Sequence, residues 1–186
     1  MRAFIAIDLT PELNISMERL IGSLRKKGSD VKWVNAGGLH LTLKFLGEVA
    51  DDNLEAIGDL LESIVRNHGS FSLDLKGTGT FPSGLSRNAR VLWVGITEVP
   101  GLVSLQEKIE SSFEKLGFPR EERPFHPHLT LGRVKSSDGL GPVLNEIGIN
   151  RETEFGEMTV SRIALFESRL TPRGAVYSVR REASLS

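Results

Sequence analysis

The tetrapeptide His-Leu-Thr-Leu occurs twice, as His40-Leu41-Thr42-Leu43 and as His128-Leu129-Thr130-Leu131, and its surroundings are duplicated with it. Residues 2–7 (RAFIAI) resemble residues 90–96 (RVLWVGI); 90 − 2 and 128 − 40 both give 88, so the two copies share one ungapped offset. Each copy opens on an apolar run with strand character. A helical stretch follows. The first begins at Thr10-Pro11, an N-cap and N1 pair, with Leu13, Met17, Leu20, Ile21 and Leu24 on one face. The second begins near Pro100-Gly101, carries Leu102, Leu105, Ile109, Phe113 and Leu116, and stops at Gly117. After each tetrapeptide comes another helix. Asp51 or Asp52 is expected to cap one bearing Leu54, Ile57, Leu61, Ile64 and Val65. Ser137 or Asp138 is expected to cap a shorter one bearing Leu140, Val143, Leu144 and Ile147. Strands are expected over residues 71–81, 157–166 and 175–180. Such a repeat predicts one domain with two pseudo-symmetric halves, about 1–88 and 89–186, and a functional cleft between them.

The tetrapeptide, read as a strand, presents His and Thr on one face and both leucines on the other. The leucines can bury against the helices, and two imidazoles and two hydroxyls then converge on the cleft. Imidazole is the side chain whose ordinary pKa lies near neutrality, so one ring can take a proton while the other gives one. Threonine hydroxyls can donate to the non-bridging oxygens of a phosphate. A strained cyclic phosphodiester suits this set without strong metal activation. Of the four histidines in the chain, two occupy these matched positions.

Lys44 shares the parity of His40 and Thr42 and is expected on the cleft face as a phosphate-binding cation, the alternative being a solvated lysine. Arg133 has the opposite parity; it points away from the phosphate unless a bulge or bend after Gly132 re-aims it. His126 is expected at the rim and His68 at a helix C-terminus without a chemical role. Phe45, Trp33, Trp93 and Phe125 are candidates for stacking a base, with core packing favoured for Trp93. Arg25-Lys26-Lys27 suits a helix C-terminus.

The remaining composition excludes several classes. There is no cysteine, hence no disulfide, thiolate metal site or cysteine nucleophile. No His-x-x-x-His or carboxylate cluster has metal-ligand spacing, and no Gly-x-x-x-x-Gly-Lys-Ser/Thr loop is present, so neither metal nor nucleotide cofactor is expected. A formal net charge of −1 argues against gripping a long duplex and for recognising a small end group. No apolar run approaches a membrane span. The apolar run of residues 3–7 meets Asp8 at once, too short for a signal peptide, so a cytoplasmic location is expected.

These residues resemble the two-histidine (2H) phosphoesterase superfamily, and within it the RNA 2′,3′-cyclic phosphodiesterases historically called 2′-5′ RNA ligases. The likeness is carried by Phe4-Ile5-Ala6-Ile7, the stretch from His40 through Phe45 and Leu46 to Gly47, Phe81-Pro82, Arg90-Val91-Leu92-Trp93, and the stretch from Pro127 and His128 to Gly132 and Arg133. The resemblance implies an α+β fold of two lobes, with antiparallel sheets lining a central cleft and helices outside. It implies hydrolysis of RNA 2′,3′-cyclic phosphate ends to 2′-phosphates without a metal, His40 as acid and His128 as base. Thr42, Thr130, Lys44 and Arg133 are the expected substrate-binding residues, and tRNA halves, no membrane and a monomeric state the expected setting. Two other readings stay open: a 2′-5′ RNA ligase running the chemistry in reverse, and an RNA-end-binding module without catalysis.

Overall fold

The computed structural model describes residues 1–35, 37–172 and 174–186. Strand β1 (Arg2–Asp8) leads into helix α1 (Pro11–Arg25), whose first turn is closed by Thr10: its hydroxyl accepts from the Leu13 amide at 3.4 Å, and Pro11 occupies the first turn. The five predicted residues of α1 are all buried. A short strand, β2 (Val31–Trp33), precedes the first motif strand, β3 (His40–Glu48). Helix α2 (Leu54–Val65) starts later than expected. Asp51 and Asp52 do not cap it but form a 3-10 turn, Asp51–Asn53, ahead of it. Then come β4 (Phe71–Phe81), β5 (Val91–Ile96) and α3 (Pro100–Lys115), which buries Leu102, Leu105, Ile109 and Phe113 but leaves Leu116 outside. The second motif strand is β6 (His128–Val134). Helix α4 (Gly141–Ile149) has Leu140 at its N-cap, not Ser137 or Asp138, because the chain first turns through Gly139 at φ +67°.

The apolar run expected as one strand over residues 157–166 is two: β7 (Glu154–Val160) and β8 (Arg162–Thr171), broken at Ser161. The break has a topological cause. β7 pairs with β4, whereas β8 pairs with β1, so the chain changes sheets at that point. The last strand, β9 (Gly174–Ser184), is longer than expected and runs antiparallel to β8. One sheet has the order β3-β1-β8-β9 and the other β2-β6-β5-β4-β7, all pairings antiparallel. Each sheet therefore draws strands from both halves of the sequence. A contiguous buried cluster takes residues from both sheets and all four helices, among them Met17, Leu41, Ile57, Leu75, Ile109, Leu129 and Val143.

The repeat also slips by one residue. His40 faces Asp8 and His128 faces Gly95, an offset of 88 in the motif strands but 95 − 8 = 87 in their neighbours. Within each motif strand the ladder is interrupted at the second leucine. Ile5 faces Lys44 and Ala6 faces Thr42, leaving Leu43 extra; Leu92 faces Gly132 and Trp93 faces Thr130, leaving Leu131 extra. Such a bulge places two consecutive residues on the same side and inverts those that follow, in β3 as far as a second insertion at Leu46. Burial follows: Leu43 and Lys44 both point inward, as do Leu131 and Gly132, and Phe45 and Arg133 return to the outer face.

Lys44 is therefore not a cleft residue, contrary to the regular-strand expectation. It is only 4% exposed, and its ammonium lies 2.6 Å from Glu110 Oε2 and donates to the Pro119 carbonyl at 2.8 Å. Glu110, on α3, also accepts from Gln106 and from the Glu121 amide. The pair thus ties the first motif strand to α3 and to the loop that leads into the second motif. Gly132 holds the equivalent place in the second half for a steric reason. A Cβ there would stand 2.7 Å from Val31 Cγ1 and 2.9 Å from Trp33 Cε3, so a side chain would lift β2 off the sheet.

Lys44→Met leaves the Glu110 carboxylate buried without its counter-charge and should lower stability by about 3–5 kcal/mol, with Glu110→Leu in the same background restoring most of the loss in urea unfolding. Gly132→Ala should cost about 1–3 kcal/mol by overpacking against β2, read from the same midpoint.

Candidate active site

A cleft of about 530 Å³ opens between the sheets. Its walls include His40 and Thr42 from β3, His128, Thr130 and Arg133 from β6, and Phe45, Trp33 and Tyr177. The bulges decide this membership. They fall after the His-x-Thr pair in each strand, so both pairs keep their shared face while the next polar position is exchanged. Arg133 gains access and Lys44 loses it.

His40 sits in an aromatic enclosure. Its ring centroid lies 4.6 Å from Phe4, 6.0 Å from Phe166 and 4.9 Å from Tyr177, the last meeting it edge-on. Burial disfavours the imidazolium and lowers its pKa to about 4, although a hydrogen bond with the Gly38 backbone favours the charged form. His128 is lowered too. Burial is the largest cause, and the charges of Arg133 and His126 add to it, while its hydrogen bond to the His126 carbonyl opposes the shift. That bond runs from Nδ1 to the carbonyl at 2.6 Å. A carbonyl only accepts, so Nδ1 carries the proton and the neutral ring keeps a lone pair on Nε2. Each imidazole is thus held by the backbone of the residue two places before it. Phe81 meets the His128 ring edge-on at 5.0 Å.

The other candidates are dispersed. His126 lines a separate groove beside the cleft that His128 also borders, together with Phe81 and Trp93. His68 lies outside, beyond α2, with Nδ1 3.1 Å from the Gly69 carbonyl. Trp93 is partly buried with its ring against Gly79, where any Cβ would collide, and Phe125 packs on the core. Phe45, 66% exposed, and Trp33 both reach the cleft. Lys27 pairs with Glu146 at 3.4 Å, which fixes the end of α1 to α4. Among the described residues no group of three or more His, Asp or Glu is placed to hold a metal ion.

Several residues in or behind the cleft carry no local sequence signal. Phe166 and Tyr177 reach His40 only because β8 crosses to β1 and brings β9 with it. Phe4 is legible in principle, since it alternates with Ile5. Arg2 and Lys32 look like ordinary surface cations until the sheets place them on the cleft walls.

Two imidazoles, one neutral and one protonated, with two hydroxyls and an arginine on one small cleft, can take a proton, give a proton and hold an oxyanion. Residues 11–171 match the family model described as the 2′-5′ RNA ligase superfamily. An RNA 2′,3′-cyclic phosphodiesterase of Methanothermobacter thermautotrophicus is 36% identical over 177 residues, 95% of each chain. The crystal structure of TT0787 of Thermus thermophilus superposes with a TM-score of 0.83 at 31% identity, covering 100% of this chain and 98% of that one. E. coli LigT complexed with 3′-AMP gives a TM-score of 0.78 at 29% identity, covering 100% and 98%. With most of its length matched by the family model and by relatives over a third identical, this chain belongs to the 2′-5′ RNA ligase superfamily.

Proposed function

We propose that this protein is an RNA 2′,3′-cyclic phosphodiesterase that opens the ring to a 2′-phosphate by general acid–base catalysis with His40 and His128. The observation that carries the reading is the convergence of both His-x-Thr pairs on one cleft. Water attacks phosphorus, the P–O3′ bond breaks, one imidazole takes the proton from water and the other delivers one to O3′. His128 suits the base: Arg133 beside it disfavours the imidazolium, and its Nε2 lone pair is free. His40 suits the acid. Its pKa is depressed mainly by burial among aromatic rings, and a bound phosphate anion supplies the opposite charge that raises it. Thr42 and Thr130 donate to the non-bridging oxygens, and Arg133 adds a fixed charge there. Action on tRNA halves, in the cytoplasm and as a monomer, belongs to the same proposal. A 5′-hydroxyl in place of water would run ligation with the same residues, the reaction for which the superfamily is named.

The test is turnover of a nucleoside 2′,3′-cyclic phosphate in excess chelator. His40→Ala and His128→Ala should each lower kcat by about 10²–10⁴-fold, and wild-type turnover by either variant would overturn the assignment. The buried imidazoles also set an acid limit on the fold. Both pKa values are lower in the folded chain than the ordinary 6.5, so the unfolded chain binds more protons as pH falls below that value. Their stabilisation is complete above about pH 6.5 and declines below it, that of His40 being lost as pH falls toward about 4. His40→Asn should flatten that loss, as measured by urea midpoints across this range.

A further inference from the structure

Cations gather on the cleft wall without carboxylate company. Arg2, Lys32 and Arg133 line it, and among the described residues no Asp or Glu does, in a chain whose 23 Lys and Arg are matched by 24 Asp and Glu. Among the described residues none of the three is in an ion pair, whereas Lys27, Lys44, Lys76, Arg120, Arg162, Arg169 and Arg180 each are. Two of them are also forced together. Lys32 is the middle residue of the three-residue edge strand β2 and stands directly opposite Arg133 on β6. Like charges directly opposite each other across an antiparallel pair destabilise the sheet. The fold holds this pair in place by packing Trp33 and Val31 over Gly132, the residue whose missing side chain admits β2.

The position of Lys32 separates it from the phosphate proposed to react. Thr130 and His128 lie on β6, and β2 lies one strand further out, about 4.8 Å away. Arg133 lies between the two regions, past the bulge. A second anion joined to the first would fall on Lys32, and the anion that RNA offers there is the phosphodiester leading into the terminal nucleotide. Building on the phosphodiesterase reading, we propose that Lys32, beside Arg133, holds this penultimate phosphate and so makes the cyclic-phosphate end of an oligonucleotide a better substrate than a free cyclic mononucleotide. Lys32 is a specificity residue here and touches no reacting atom. The net charge of −1 fits such a short, local grip.

The experiment compares adenosine 2′,3′-cyclic phosphate with a trinucleotide ending in the same group, for wild type, Lys32→Gln and Lys32→Glu, at low and physiological salt. Wild type should favour the trinucleotide in kcat/KM. Lys32→Gln should erase most of that preference through KM, by about tenfold, and Lys32→Glu more, with kcat and the mononucleotide reaction unchanged. The slope of log kcat/KM against log salt for the trinucleotide should become shallower by about 0.7, the increment for a single phosphate of a single strand that is no longer neutralised. Equal effects on both substrates, no effect on either, or no wild-type preference would each overturn the assignment of Lys32. Absence of wild-type turnover on both substrates would instead overturn the phosphodiesterase reading.

Discussion

In both motif strands the second leucine is an extra residue, facing no partner on the neighbouring strand, and the contents of the cleft depend on that insertion. A regular strand would bring Lys44 to the cleft and turn Arg133 away. The bulge does the reverse without disturbing the His-x-Thr pair before it. It also sends two residues inward on each side, and the two halves use that second inward place differently. One buries an ion pair that reaches across to α3; the other carries no side chain and so admits an outer strand. From one backbone irregularity, repeated, the two walls of a nearly symmetric cleft become unlike.

The unlikeness extends to the imidazoles. Both are neutral at neutral pH, for different reasons. His40 is the more deeply enclosed and is wrapped in rings, whereas His128 is oriented by a short backbone bond and flanked by a guanidinium. An approaching anion relieves the first condition more than the second. Acid and base are thereby distinguished by environment in a pair whose sequence contexts are nearly identical.

Much of this is legible in the residues. Periodicity locates all four helices and the buried leucines, and alternation puts each His beside its Thr, because those signals are local. Bulges are harder to see. Leu43-Lys44 and Leu131-Gly132 read as continued alternation, and only the pairing with β1 and β5 exposes the inserted residue. The run over 157–166 reads as one strand because both pieces are apolar; the change of sheet at Ser161 is a long-range fact. The starts of α2 and α4 read too early because acidic and hydroxyl residues precede them without capping. Phe166 and Tyr177 join His40 across a wide stretch of chain, 166 − 40 = 126 residues for the nearer of the two, beyond the reach of any local pattern.

That last distance bears on biosynthesis. Arg2 lies opposite Ser168, so β1 is synthesised well before β8, the strand that covers its second edge. Until then β1 can hold only the partner on its other edge, β3, and the ring of His40 faces water where Phe166 and Tyr177 will later stand. A nascent chain halted before β8 thus contains both histidines yet lacks the Phe166 and Tyr177 rings that set His40 apart. The enclosure of His40 is complete only once the hairpin of β8 and β9 has paired with β1.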